Sequence, residues 1–115
     1  MIVSAFHQGS RVGGAVIAYD TPAVNILEGR KDIAALWDLR IDYSYRGKGI
    51  GSSIFRKCLE WAKSQKCHLL KIECQNNNVH ACNFYAKQGA ALGEVNLYAY
   101  PDKPEVAQLM WYYSL

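Results

Sequence analysis

Three glycines fall within five residues at Gly47, Gly49 and Gly51, with Arg46 before them, Lys48 among them and Ser52 and Ser53 after them. Before this turn runs the apolar stretch Ile33–Asp42, and after it runs a segment with helical spacing. A turn from strand into helix leaves the first helical N–H groups without intrahelical acceptors, and the helix dipole adds partial positive charge there. Glycines let an anion approach the backbone closely. The stretch Arg46-Gly47-Lys48-Gly49-Ile50-Gly51 therefore reads as a cradle for a diphosphate, with the hydroxyl of Ser52 as a further donor. The competing reading of this stretch alone is a glycine-rich turn that holds nothing.

Several phosphate binders are excluded. A P-loop needs Lys-Ser/Thr after its last glycine, and Gly-Ser-Ser stands here instead. The dinucleotide fingerprint is GxGxxG, whereas the spacing here is GxGxG, and 115 residues cannot hold two mononucleotide halves. The charge supports an anionic ligand. Between Arg40 and Lys71 eight Lys or Arg stand against two acids, a balance of +6 in a chain of net charge +3, which leaves the remainder at −3. Part of that block, such as Lys57, Lys63 and Lys66, reads as the solvated face of a helix. The basic residues are not interleaved with aromatics as in a single-strand-binding surface, so no nucleic-acid partner is expected. No apolar run approaches the roughly 20 residues needed to cross a bilayer, so no membrane role is expected. The N-terminus lacks the basic region and apolar core of a signal peptide. Cys58, Cys67, Cys74 and Cys82 are spaced by 9, 7 and 8 residues, which fits no zinc pattern and no CxxC, and no metal is expected. These features read as a reduced, cytoplasmic protein.

The elements that must position the turn follow from periodicity. Residues 2–7 and 12–19 read as a hairpin turning at Gly9 and Ser10, and 20–32 as a loop broken by Pro22 and Gly29. Residues 33–42 are too apolar for an edge and are expected as a central strand. From Gly49 the period changes. Ile50, Ile54, Cys58 and Ala62 recur every four residues, which predicts an amphipathic helix of about four turns. A strand at 68–74 follows, then a short helix at 79–89 with Val79, Cys82 and Tyr85 or Ala86 inward and Gly89 as its left-handed end. Two strands, 91–100 and 106–115, close the chain. The order β-β-β-α-β-α-β-β predicts one α+β domain over 1–115, with a mixed, mostly antiparallel sheet and helices on its faces. The third and fourth strands, joined through a helix, should be parallel.

The glycine turn resembles motif A of the GNAT N-acetyltransferases, Arg/Gln-x-x-Gly-x-Gly/Ala, directly after a strand and directly before a helix. A second stretch, KIECQNNNVHACNFYAKQGA, resembles the family's next strand and helix, with Asn78 seven residues before Tyr85 and then Ala-Lys-Gln-Gly. Together the two cover residues 33 to 91. The family usually has Phe where Ala90 stands. The stretches LWDLRIDYSYRGKGIG, TPAVNILEGR and NLYAYPDKPEVAQLMWY look like the streptothricin acetyltransferase branch.

The resemblance implies an acyl-CoA N-acyltransferase fold and acetyl-CoA as co-substrate. Amides from Gly47 through Ser52 would hold the diphosphate, with Arg46, Lys48 and Ile50 in the same turn. Leu39, Arg40 and Ile41 would give backbone contacts to the pantetheine arm, which Asn78 would orient. Tyr85 is the implied general acid at the departing thiolate. The base is Glu73 or Asp38, or water serves. Without the motif, Tyr85 reads as a core residue and Asn78 as a helix N-cap. Trp37 and Asp38 alternate across their strand, so Asp38 would turn from a Trp37-lined site unless a bulge intervenes. His7, His68 and His80 read as surface residues, and Tyr98, Tyr100, Trp111, Tyr112 and Tyr113 as sheet core and rim.

The expected activity is direct transfer of an acetyl group to a primary amine of a small molecule, such as an antibiotic bearing a β-lysine-like amine. The alternative is an acetyltransferase-like module that holds CoA without turnover or needs a partner chain. Relative to the family pattern, Met1 falls inside what would be the second strand. The CoA half of the site is therefore expected to be complete and the acceptor half open, covered in a homodimer or by a partner.

Overall fold

The computed structural model describes residues 1–115. Six strands form one sheet: β1 (Ile2–His7), β2 (Ser10–Tyr19), β3 (Ile33–Ile41), β4 (Leu69–Gln75), β5 (Ala91–Asn96) and β6 (Gln108–Ser114). Helix α1 (Ile50–Ser64) joins β3 to β4, and α2 (Val79–Lys87) joins β4 to β5. The sheet order is β1-β2-β3-β4-β6-β5. Only β3 and β4 are parallel, and every other neighbouring pair is antiparallel. The expected α+β architecture and element order are thus present, with β3 central.

One face of the sheet is covered by the helices. Ala15 and Ile17 of β2, Ala34 and Leu36 of β3 and Leu70 and Ile72 of β4 pack against Ile54, Phe55, Cys58 and Ala62 of α1. The four-residue repeat read from the sequence is therefore the buried stripe of α1. Helix α2 behaves differently. Of the alternatives Tyr85 and Ala86 it is Tyr85 that is buried, and Cys82 is half-buried, but Val79 is 63% exposed, contrary to its expected inward place. The helix is only nine residues long, and Tyr85 in its last turn is its one buried residue.

The loop before β3 contributes more than its composition suggested. A 3-10 turn at Asn25–Leu27 buries Leu27 beside Val24, Ile33 and Ala35, making a second small core on the opposite face of the sheet. Lys71, the one buried charged residue, reaches from β4 to that loop and donates to Glu28 at 2.9 Å. Its ammonium also lies 5.7 Å from the Tyr112 ring centroid. The fifth strand ends at Asn96 rather than at Tyr100. Residues 97–107 leave the ladder, and Leu97 and Tyr98 are exposed. Pro101 and Pro104 in this stretch lack the N–H that strand pairing needs.

Phe55 connects the layers. Its ring meets Phe84 edge-on at 6.1 Å, Tyr85 at 6.4 Å and Tyr113 of β6 at 5.7 Å. It is fully buried, so both transfer energy and aromatic contacts are lost on truncation. Phe55→Ala is expected to lower unfolding free energy by about 3–4 kcal/mol in urea titration, with α2 loosened from α1.

Candidate functional site

The strands that build the site pair only briefly. The β3–β4 ladder runs from Ile33–Leu69 to Leu36–Ile72 and stops, although β3 continues to Ile41 and β4 to Gln75. The cause is visible in β3. Val16 pairs with Asp38 and Ile17 with Leu36, so Trp37 is an extra residue, a bulge. The bulge reverses the side-chain alternation. Ala34 and Leu36 face the helices before it, and Leu39 and Ile41 pack on that same core after it. Trp37 itself is 53% exposed. Beyond the bulge the strand edges of β3 and β4 face each other unpaired.

The link from β3 to α1 is tight. Tyr43–Tyr45 form a 3-10 turn, and Gly47 and Gly49 adopt φ of 76° and 80°. A Cβ at either glycine would meet nothing within 4 Å, so it is the left-handed backbone that calls for glycine here, not crowding. Gly49 caps α1 without any side-chain bond. The first amide after the turn to find a backbone acceptor is that of Ser53, bonded to the Gly49 carbonyl at 3.1 Å. Six successive amides, from Gly47 to Ser52, bond no acceptor within the chain.

Five of these six residues, all but Lys48, line a cavity of about 540 Å³, a size common for small-molecule sites. Leu39, Arg40 and Ile41 form one wall, and Arg46, Gly47, Gly49, Ile50, Gly51 and Ser52 form another. Helix α2 supplies the third through Asn78 and Tyr85. Asn78 caps α2, its Oδ1 accepting from the Ala81 amide at 3.1 Å, and it also borders the cavity. At the far end of α2 the Ala90 amide donates to the Tyr85 carbonyl and the Gly89 amide to Ala86. With Gly89 at φ 98° this is a Schellman end, which fixes the backbone of Tyr85.

Tyr85 is 6% exposed. Burial pushes its phenol well above the usual range, and Cys74 of β4 and Asp38 of β3 push it further. The hydroxyl thus stays protonated and can serve as a donor but not as a base at neutral pH. Tyr85 lines the cavity together with Leu39 and Ile41, which lie on β3 beyond the last β3–β4 pair.

Three expected residues lie outside the cavity lining: Lys48, Asp38 and Glu73. The Lys48 ammonium sits 5.3 Å from the Tyr45 ring centroid. Asp38 accepts from Arg40 Nε at 2.8 Å in an exposed ion pair. Glu73 lies on β4 between Ile72 and Cys74, both of which pack on the helix side, so it points to the opposite face. There its Oε1 accepts from Tyr100 Oη at 2.9 Å and from Gln108 Nε2 at 3.0 Å. The lining also includes residues that the sequence reading passed over: Asp42, Tyr45, His80, Ala81 and Phe84. His80 is exposed as expected, yet it borders the cavity. Ala81 and Phe84 stand three and six residues after Asn78, and that helical spacing was the available signal.

Comparison with known proteins bears on this geometry. The model of the acetyltransferase (GNAT) family matches residues 1–90. The chain belongs to the GNAT acetyltransferase family. Within that family it is 35% identical over 85 residues to the streptothricin acetyltransferase of Escherichia coli, a match covering 71% of this chain and 49% of the relative. It is 35% identical over 83 residues to streptothricin acetyltransferase A of Bacillus subtilis, covering 70% and 48%. The chain thus spans about half the length of the curated relatives it matches. Among solved structures, a protein described as a streptothricin acetyltransferase from Bacillus anthracis, in complex with acetyl coenzyme A, superposes with a TM-score of 0.84 at 26% identity. That match covers 99% of this chain and 61% of the other. The GNAT family uses acetyl-CoA, and the free amides from Gly47 to Ser52 suit its diphosphate.

Because open space surrounds its Cβ position, Gly49→Ala tests the backbone alone. It is expected to cost about 1–2 kcal/mol in urea unfolding, the cost of a left-handed non-glycine residue, with α1 retained in far-ultraviolet circular dichroism.

Proposed function

We propose that the chain is an acetyl-CoA-dependent N-acetyltransferase acting on a primary amine of a small molecule. The observation that carries this reading is the run of six unbonded amides at the start of α1, beside a cavity that is also lined by a buried, protonated Tyr85. The thioester supplies an acetyl group already activated for attack by an amine. The chain's own residues supply the rest.

Amides 47–52 take the diphosphate, and Arg46 brings positive charge to its rim. The unpaired edge of β3 at Leu39–Ile41 takes the amides of the pantetheine arm as an added strand would. Asn78 orients that arm from α2. In the transfer, a C–N bond forms to the acceptor nitrogen and the C–S bond breaks. A proton leaves the amine for a carboxylate or water, and Tyr85 donates its own to the sulfur. Of the two carboxylates, Asp38 is engaged by Arg40, whereas Glu73 is held by neutral donors, which favours Glu73 as the base.

The names of the two curated relatives support an aminated antibiotic as acceptor. Dependence on acetyl-CoA supports a cytoplasmic location. The exposed apolar residues of the edge strands, Ile2 and Phe6 on β1 and Leu92 and Val95 on β5, support a homodimer.

Calorimetry with acetyl-CoA and a thiol-release assay with a streptothricin test the reading together. Acetyl-CoA is expected to bind wild type and to lose affinity at least tenfold in Gly49→Glu, which sets a carboxylate against the diphosphate. Tyr85→Phe is expected to keep the affinity and lower kcat about 100-fold. Binding without thiol release to any amine would leave a CoA-holding module. No binding would remove the cradle.

A further inference from the structure

Glu73 stands one residue beyond the last β3–β4 pair, at the mouth of the divergence, on the face away from the helices. Free in solution, such a side chain samples many rotamers. Here two donors from separate parts of the chain converge on it. Tyr100 comes from the irregular segment after β5, and its hydroxyl donates to Oε1 at 2.9 Å. Gln108 opens β6, and its Nε2 donates to the same oxygen at 3.0 Å. The amide of Gln108 is itself oriented, because its Oε1 accepts from Asn96 Nδ2 at 2.9 Å. Asn96 in turn donates to Glu94 Oε2 at 3.2 Å. With its oxygen committed to Asn96, Gln108 can turn only its NH2 group towards Glu73.

Both donors meet one oxygen. A carboxylate has acceptor sites on each oxygen, and two bonds fill Oε1 while Oε2 accepts none from the chain. Burial first, and the bond to Glu73 next, push the Tyr100 phenol up to about 12, so it remains a donor at neutral pH.

We propose that Tyr100 and Gln108 are positioning residues for acetyl transfer: they clamp Glu73 by Oε1 and so present Oε2 to the acceptor amine. The inference rests on the acetyltransferase reading and deepens it. The clamp turns a flexible carboxylate into a fixed acceptor for one N–H, at the side of the sheet opposite the Tyr85 helix. The acceptor amine would then be met by a base on one face, and the departing thiolate of CoA by an acid from the other.

The test is a double-mutant cycle on the whole chain, since a residue acting through Glu73 has no effect once Glu73 is disabled. Release of CoA thiol from acetyl-CoA is followed with a streptothricin, with a lysine-like amine and with water as acceptors. Calorimetry reports acetyl-CoA affinity for each variant, and thermal melts report folding. Tyr100→Phe is expected to lower kcat about tenfold with acetyl-CoA affinity unchanged. Gln108→Met, close in size, is expected to do the same. In a Glu73→Gln background neither change should lower the rate further. An equal additional loss in that background, or no loss in the wild-type background, would show that both residues only brace the segment after β5. Full activity of Glu73→Gln would sink the clamp while leaving acetyl transfer intact. Absence of thiol release from wild type with every acceptor would remove the proposed function itself.

Discussion

The site depends on one break in hydrogen bonding. Parallel β3 and β4 exchange backbone bonds for four residue pairs and then part, because the extra residue at Trp37 bends β3 away. Strand edges do not stay unpaired cheaply in a protein interior, so the gap needs polar occupants. Water meets that need in part, and an extended amide-bearing chain meets it better. The same bulge turns Leu39 and Ile41 into the helix-side core and sends Asp38 to Arg40. Without it the central strand would stay zipped to β4 and no cavity would reach the middle of the sheet.

Two effects favour an anion at the start of α1, and their sizes differ. The helix dipole contributes about 0.3–1 kcal/mol at an exposed end. A single charge-assisted hydrogen bond contributes about 1.5–3 kcal/mol. Six free amides in succession therefore outweigh the dipole, even if only some of them reach the ligand. The surrounding lysines add long-range attraction that salt screens within about 10 Å. The backbone conformation at Gly47 and Gly49 is thus the sharper determinant, and the basic block the blunter one.

The sheet separates the two side chains proposed as acid and base. Tyr85 arrives on α2 from the helix side, locked by the Schellman end and by the Phe55 and Phe84 rings. Glu73 stands on the other side, held by groups from the last third of the chain. Through most of the sheet such groups would be insulated from each other by a paired backbone. At the divergence the edges of β3 and β4 carry no backbone bonds to each other.

The local signals were strong where a residue type answers a local demand. Glycines with positive φ, the four-residue stripe of α1, the Asn78 cap and the Gly89 end are each short-range physics, and they could be read directly from the sequence. Periodicity misled where burial depends on what lies above an element. Val79 has the spacing of an inward residue but no layer covers it, and Val24 and Leu27 sit in a stretch that reads as loop yet fill a second core. The end of β5 was lost for a similar reason, since residues 97–100 look strand-like but have no partner beside them. The sequence by itself determined the order of elements, the anion-ready turn and the pairing of Asn78 with Tyr85 on one helix. Only the tertiary structure decided that a bulge opens β3 from β4, which face Glu73 takes, and that Tyr100, Gln108 and Asn96 converge on it. Those contacts join residues 12 to 35 positions apart, and side-chain convergence over such distances is set by strand register, which no local pattern encodes.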